Sequence, residues 1–223
     1  MNCPCALFLI LNMCRLLVVR SAETFDPAEH LRRFALLCKN SKEYQGHGWG
    51  CAWADSSRNW QVYRKICPVW EDDPSQFPRT SLLVAHARSA FEDKDIAVEN
   101  NMPFFDGERV FIFNGELRGV KIQEQGRIGA EKIFNFIRRF DRGDTLTALK
   151  KGTEIIRNRS RSITAMNIMM VKDRAIYLHT FFTRDEDYFT IRYKEGRELV
   201  LCSEVYPSER GWKSIANGAV GAW

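Results

Sequence analysis

Apolar and polar positions recur along this chain with two different periods, and the switches between them outline its elements. Leu16-Leu17-Val18-Val19 is an unbroken apolar run, as in a strand buried on both faces. Leu31, Phe34, Leu37 and Cys38 then follow at helical spacing behind Asp26-Pro27, where the proline suits a first helical turn. Gly46-His47-Gly48-Trp49-Gly50 predicts a tight turn into the strand Cys51-Ala52-Trp53, with the alternating stretch 60–66 as its hairpin partner. Residues 70–79, with Pro74 and Pro78, predict a loop that ends at the apolar strand 81–88. Residues 91–105 read as a further loop, and 109–113 as a strand closed by an Asn114-Gly115 turn. Ile133, Phe134 and Ile137 line one helix; Leu146, Leu149, Ile155 and Ile156 line the next. Strands are predicted at 165–171, 175–182, 188–193 and 198–202, with turns at Asp173-Arg174 and Glu195-Gly196. Strands, two helices and more strands, without a repeat or low-complexity linker, predict one α+β domain of stacked sheets covered by helices.

Composition narrows the picture only a little. With 223 residues, 45% hydrophobic and 27% charged, the chain is globular and long enough for a single large core. The net charge of +5 is modest. Its densest part, Arg157, Arg159 and Arg161 beside Lys150 and Lys151, reads as a solvated helix end, or else as a surface for an acidic partner. No base-reading or RNA-stacking motif accompanies those arginines, so nucleic acid is not an expected partner. Seven cysteines, odd in number and irregular in spacing, indicate no disulfide framework. Cys3-Pro4-Cys5 is too short and isolated for a metal site, and the four histidines lack zinc-like spacing. No metal and no cofactor is expected.

The start of the chain carries the strongest signal. Residues 6–11 and 16–19 are apolar and Ser21-Ala22 imitates a cleavage site, which is the pattern of a secretory signal. Against it stand the missing positive n-region, Arg15 inside the apolar stretch and no small residue at the required spacing. The run is also too short and interrupted for a membrane span of ~20 residues. Asn12-Met13 are poor residues to precede a lipidated Cys14. The remaining readings are a retained extension, or residues 1–13 as a removable extension or mis-called start. Removal through Met13 would leave the thiol and the free amine of Cys14 on one residue. A thiol of pKa ~8.5 needs a base to attack an amide, and an α-amine of pKa about 7.7–8.0 can be that base.

Three short motifs could work with Cys14. Ala85-His86-Ala87-Arg88 ends an apolar strand, and alternation puts His86 and Arg88 on one side. Arg88 ties down a loop or grips a carboxylate through two parallel hydrogen bonds. Phe113-Asn114-Gly115-Glu116 is a hairpin turn, or an asparagine amide and a glycine N–H that donate to an oxyanion; such a donor is worth about 3–4 kcal/mol of barrier. The glycines at 46–50 permit a tight turn or let backbone approach a ligand.

Together with Met13-Cys14-Arg15-Leu16-Leu17, these motifs resemble the class II (N-terminal nucleophile) glutamine amidotransferases, in particular stand-alone glutaminase-like members. The resemblance runs from Met13 to about Trp223. It includes Gly48-Trp49-Gly50, His86-x-Arg88, Asn101-Met102-Pro103-Phe104, Phe113-Asn114-Gly115-Glu116, Ser203-Glu204 and Trp212. It implies a four-layer αββα sandwich and a domain spanning 14–223. It implies Cys14 as nucleophile with its amine as base, Arg88 on the substrate α-carboxylate, and Asn114 and Gly115 as the oxyanion hole. His86 and Glu131 join Arg88 as expected substrate-binding residues. The implied reaction is hydrolysis of glutamine or another γ-glutamyl amide through a thioester, in the cytoplasm, with no membrane partner. Ammonia passes to a separate synthase partner or is simply released.

Two departures stand out. The family places an aspartate before the first long helix to bind the substrate α-amine; here Ile128-Gly129-Ala130-Glu131 puts Gly129 there. The loss of a charge-assisted hydrogen bond is worth ~1.5–3 kcal/mol, and Asp144 or Glu116 are the acids that could compensate. At the second, His47 stands where relatives carry aspartate. Two other classes stay open: a catalytically impaired binding or regulatory subunit, and a secreted or lipid-anchored protein in which the Asn158-Arg159-Ser160 sequon would matter.

Overall fold

The computed structural model describes residues 13–223. The expected extension, up to residue 12 and including Cys3-Pro4-Cys5, lies outside the described residues. Strand β1 (Arg15–Phe25) leads into α1 (Pro27–Lys39), β2 (Trp49–Ala54), β3 (Trp60–Lys65), β4 (Thr80–Ala87), β5 (Phe104–Phe105) and β6 (Val110–Arg118). Helices α2 (Gly129–Arg138) and α3 (Thr145–Asn158) follow, then β7 (Ser162–Lys172), β8 (Ala175–His179) and the short α4 (Glu186–Phe189). The chain closes with β9 (Arg192–Lys194), β10 (Glu198–Cys202), β11 (Lys213–Ser214) and β12 (Val220–Ala222).

The strands form two antiparallel sheets, one ordered β11-β9-β10-β1-β4-β2-β3 and the other β12-β8-β7-β6-β5. The unbroken apolar run of β1 follows from its place between β4 and β10. Leu16 and Val18 share a core with Val110 to Phe113 of β6 and with Ile133, Ile137, Leu149 and Ile156 of α2 and α3. Leu17 and Val19 point the other way, onto Leu31, Phe34 and Leu37 of α1. The helix start expected at Asp26-Pro27 forms, with Asp26 accepting from Ala28 N at 2.9 Å, and the structure shows Asp144 capping α3 by accepting from Thr147 N at 2.9 Å.

The structure revises two local expectations. Asn114-Gly115 is not a turn but lies inside β6, with Asn114 opposite Asn167 and Gly115 opposite Met166 of β7. A Cβ on Gly115 would sit 2.1 Å from the Ala165 carbonyl oxygen, so glycine serves close strand approach and not chain reversal. The stretch 188–193 splits into the end of α4 and the start of β9, because Tyr188 and Phe189 complete a helical turn onto the Asp185 carbonyl. Asp173 and Arg174, at φ 48 and 66, make the expected reversal between β7 and β8. Among the described residues no helix is long and apolar enough to cross a membrane.

Candidate active site

Cys14 sits immediately before β1, where Arg15 pairs with Ala87 at the end of β4. That register brings Cys14 beside the segment leaving β4, and its thiol lies 3.7 Å from the Ser89 carbonyl. From the other sheet, Asn114 Oδ1 accepts from Cys14 N at 2.9 Å. An N–H donor at Cys14 obliges the amide oxygen to face it, which turns the Asn114 NH2 away. That Nδ2 is buried and has no hydrogen-bond partner among the described residues. Burial pushes the Cys14 thiol up to about 11, against the lowering effects of the Ser89 backbone and the Arg88 charge. The sulfur is therefore a thiol at neutral pH and requires a base.

Arg15, only 3% exposed, anchors the segment that carries Cys14. Its guanidinium donates to the Ser203 carbonyl at 3.1 Å, pairs with Glu204 at 3.3 Å and lies 4.0 Å above the Tyr188 ring. Ser203-Glu204 thus holds the strand that delivers Cys14. Two residues without a sequence signal take the Met13 carbonyl: the Tyr188 hydroxyl donates to it at 2.7 Å, and Gln45 Nε2 donates as well. The Met13 side chain is buried among Ala165, Phe182, Tyr188 and Phe189.

Arg88 is 6% exposed and lines a cavity of about 750 Å³. Its guanidinium donates to Asn101 Oδ1 at 3.3 Å and to the Lys94 carbonyl at 3.4 Å. The glycine-rich turn supports it, since Arg88 N donates to the Gly48 carbonyl at 2.8 Å. Gly48 has φ +125, and a Cβ there would meet Asn101 Nδ2 at 2.1 Å. His47 also finds a role: its Nδ1 accepts from Ala90 N at 2.8 Å, placing the ring proton on Nε2, 3.3 Å from Asp93. It pins the 88–90 segment over the cavity as an acceptor, which a carboxylate would also be.

Cys14, Met13, Arg88, Gly115 and Gly129 all line this cavity. His86, Glu131 and Asn114 do not; Asn114 is fully buried behind the lining and meets the site through Cys14 N. His86 is fully buried on the inter-sheet face of β4, and burial with the nearby Arg88 charge pushes its pKa down to about 3, against the Phe113 backbone. Alternation placed His86 and Arg88 on one side, but the chain leaves the strand after Ala87 and carries only Arg88 to the cavity. Glu131 accepts from Arg127 N at 2.6 Å and from the Arg127 guanidinium, and the Arg127 side chain holds its carboxyl below the usual range. Gly129 opens α2, and a Cβ there would meet nothing within 4 Å. Asp144 is occupied as the α3 cap. Glu116 lines the cavity but is engaged by Arg118 at 2.6 Å and by Thr164 at 3.0 Å.

No protein-family model matches the chain, and no curated protein matches it. Several solved structures do. A glutamine aminotransferase class-II domain protein from Silicibacter pomeroyi superposes with a TM-score of 0.59 at 14% identity, covering 94% of this chain and 98% of that one. A predicted glutamine amidotransferase from Pseudomonas aeruginosa gives 0.54 at 14% identity, covering 96% and 97%. The glutamine phosphoribosylpyrophosphate amidotransferase from B. subtilis gives 0.59 at 12% identity, covering 85% of this chain and 42% of that larger one. In fold, therefore, the chain resembles the class II glutamine amidotransferase domain proteins.

Proposed function

We propose that, with residues 1–13 removed, the chain is an N-terminal cysteine amidohydrolase acting on glutamine or another γ-glutamyl amide. The observation that carries this reading is the Asn114 side chain, whose Oδ1 holds the Cys14 nitrogen while its buried Nδ2 has no partner among the described residues. One amide thereby orients the base and offers a donor to an oxyanion. The free amine takes the thiol proton, and Sγ attacks the γ-carbonyl carbon. Asn114 Nδ2 and the Gly115 N–H receive the oxyanion, and the C–N bond breaks as the departing nitrogen takes the proton. Water, deprotonated by the same amine, then cleaves the thioester to release glutamate and restore the thiol. Arg88, with donors to spare, takes the α-carboxylate. The two sheets, with α1 on one core and α2 and α3 on the other, support a four-layer αββα arrangement. The enzyme acts in the cytoplasm on a small γ-glutamyl substrate, with an ammonia-accepting synthase as partner where ammonia is the product.

A second reading has its own observation. While Met13 remains attached, the Cys14 nitrogen is a peptide N–H and the thiol, pushed up to about 11, has no base. That form is a binding or regulatory subunit. The mass of the N-terminal peptide from the native host, paired with glutamate release by the parent and Cys14→Ala proteins, separates the two. A chain starting at Cys14 and activity abolished by Cys14→Ala are expected. Equal glutamate release by Cys14→Ala would overturn the hydrolase, and a retained Met13 without labelling of Cys14 by a diazo-ketone glutamine analogue would favour the subunit.

A further inference from the structure

The cavity at Cys14 is larger and more cationic than hydrolysis of free glutamine requires. Its ~750 Å³ falls in the upper part of the ~300–1,000 Å³ range of small-molecule sites, well beyond what one amino acid fills. Arg88 lies on the glutamyl side with Cys14. Beyond Gly115 the lining carries Arg118, Arg127, Lys132 and Arg161, whereas Glu116 is the acid on that stretch of β6. Glu116 is engaged by Arg118, and Arg127 is held by Glu131. Lys132 and Arg161 are both exposed, and neither has a hydrogen bond or ion pair from its side chain among the described residues.

Both stems are nevertheless seated. Gly119, at φ +63, lies so close to Arg161 that a Cβ would meet the Arg161 Cβ at 2.9 Å and its Nε at 3.6 Å. Gly126, at φ +155, would place a Cβ 2.9 Å from Lys132 Cγ. The connection from β6 to α2 thus passes close against both residues, with no room for a side chain of its own at either glycine. Two unneutralised cations at the edge of a concave site focus positive potential into it.

We propose that Lys132 and Arg161 form a subsite for an anionic group on the amine half of the substrate, a carboxylate or a phosphate. This rests on the hydrolase reading and names its substrate class: γ-glutamyl amides of anionic amines, such as γ-glutamyl peptides ending in a carboxylate. The glutamyl half lies towards Arg88 and Cys14, and the amine half leaves past Gly115 towards the cationic edge.

The test uses three amides: γ-glutamylethylamide as the neutral probe, γ-glutamylglycine with a carboxylate, and γ-glutamylphosphoethanolamine with a phosphate. Binding is measured by calorimetry to the full chain carrying Cys14→Ala, and hydrolysis with the parent protein. At least one anionic amide is expected to bind about tenfold or more tightly than the neutral one, and the better of the two identifies the anion. The advantage is expected to appear in KM, to shrink between low and high salt, and to fall to within about twofold in the Lys132→Gln/Arg161→Gln double variant. Lys132→Glu, at an exposed position, is expected to reverse it. Equal binding of all three amides, or an anionic preference untouched in the double variant, would overturn the subsite. Anionic preference in binding with no hydrolysis of any amide would sink the hydrolase reading and leave the subsite standing.

Discussion

Asn114 is asked to do two things with one amide. Its oxygen fixes the Cys14 nitrogen at 2.9 Å, and its buried NH2 has no partner among the described residues, a state that costs free energy unless a ligand completes it. Asn114→Asp separates the two duties, since a carboxylate still accepts from Cys14 N but cannot donate and repels a developing oxyanion. Both Asn114→Asp and Asn114→Ala are expected to lose about 10²–10³ in kcat. Steady-state glutamate release is the measurement, and an Asp variant with parental kcat would remove the NH2 from the mechanism. The pairing of Asn114 with a cysteine 100 positions away was legible only as a family resemblance, because local spacing fits a hairpin turn equally well.

At the scale of elements, the close contact of β6 and β7 places the strand that carries Asn114 and Gly115. Gly115 permits it, since a Cβ would lie 2.1 Å from the Ala165 carbonyl oxygen and 2.7 Å from its carbon. Backbone cannot rotate away as a side chain can, so Gly115→Ala must spread the strands or shift register. A loss of about 1–3 kcal/mol is expected, seen as a lower urea midpoint at unchanged slope. An unaltered midpoint would mean that β7 yields without cost and that glycine is not required for packing there. The helices with regular apolar spacing were legible because periodicity reports burial directly. The 188–193 segment was not, because one helical turn and a short strand bury the same two aromatic residues.

Across the whole molecule, burial of neutral histidines couples folding to pH. His86 and His179 have pKa values lowered from 6.5 to about 3 and about 4, chiefly by burial. Below pH 6.5 the unfolded chain binds protons at these sites that the folded chain refuses. Stability is therefore greatest above that pH and falls as pH drops, by up to about 1.4 kcal/mol per pH unit for each histidine. Urea unfolding between pH 6.5 and 5 checks this ahead of most carboxylate titration, and His86→Leu is expected to flatten the slope. A stability flat over that window would show that both histidines take up their protons in the folded state. The two sheets are also clasped at one end, where Arg20 of β1 donates to the Arg174 and Trp223 carbonyls at 2.9 and 2.7 Å. Arg174 returns a bond to the Ser21 carbonyl at 2.6 Å.

What the sequence by itself determined was whatever depends on neighbours in the chain: the double-faced apolar run of β1, the amphipathic α1, α2 and α3, the start of α1 at Asp26-Pro27, and a Cys14 whose amine would be free only if residues 1–13 were removed. Tertiary structure decided which of these groups meet. It separated Arg88 from His86 at the end of β4, turned Glu131 onto Arg127, and placed Asn114 against Cys14 from the opposite sheet. It also gave His47 its acceptor role and set Tyr188 and Gln45 on the Met13 carbonyl. Periodicity encodes which face of an element is buried, but the pairing of faces depends on strand register and sheet order, which are settled by contacts far apart in the chain.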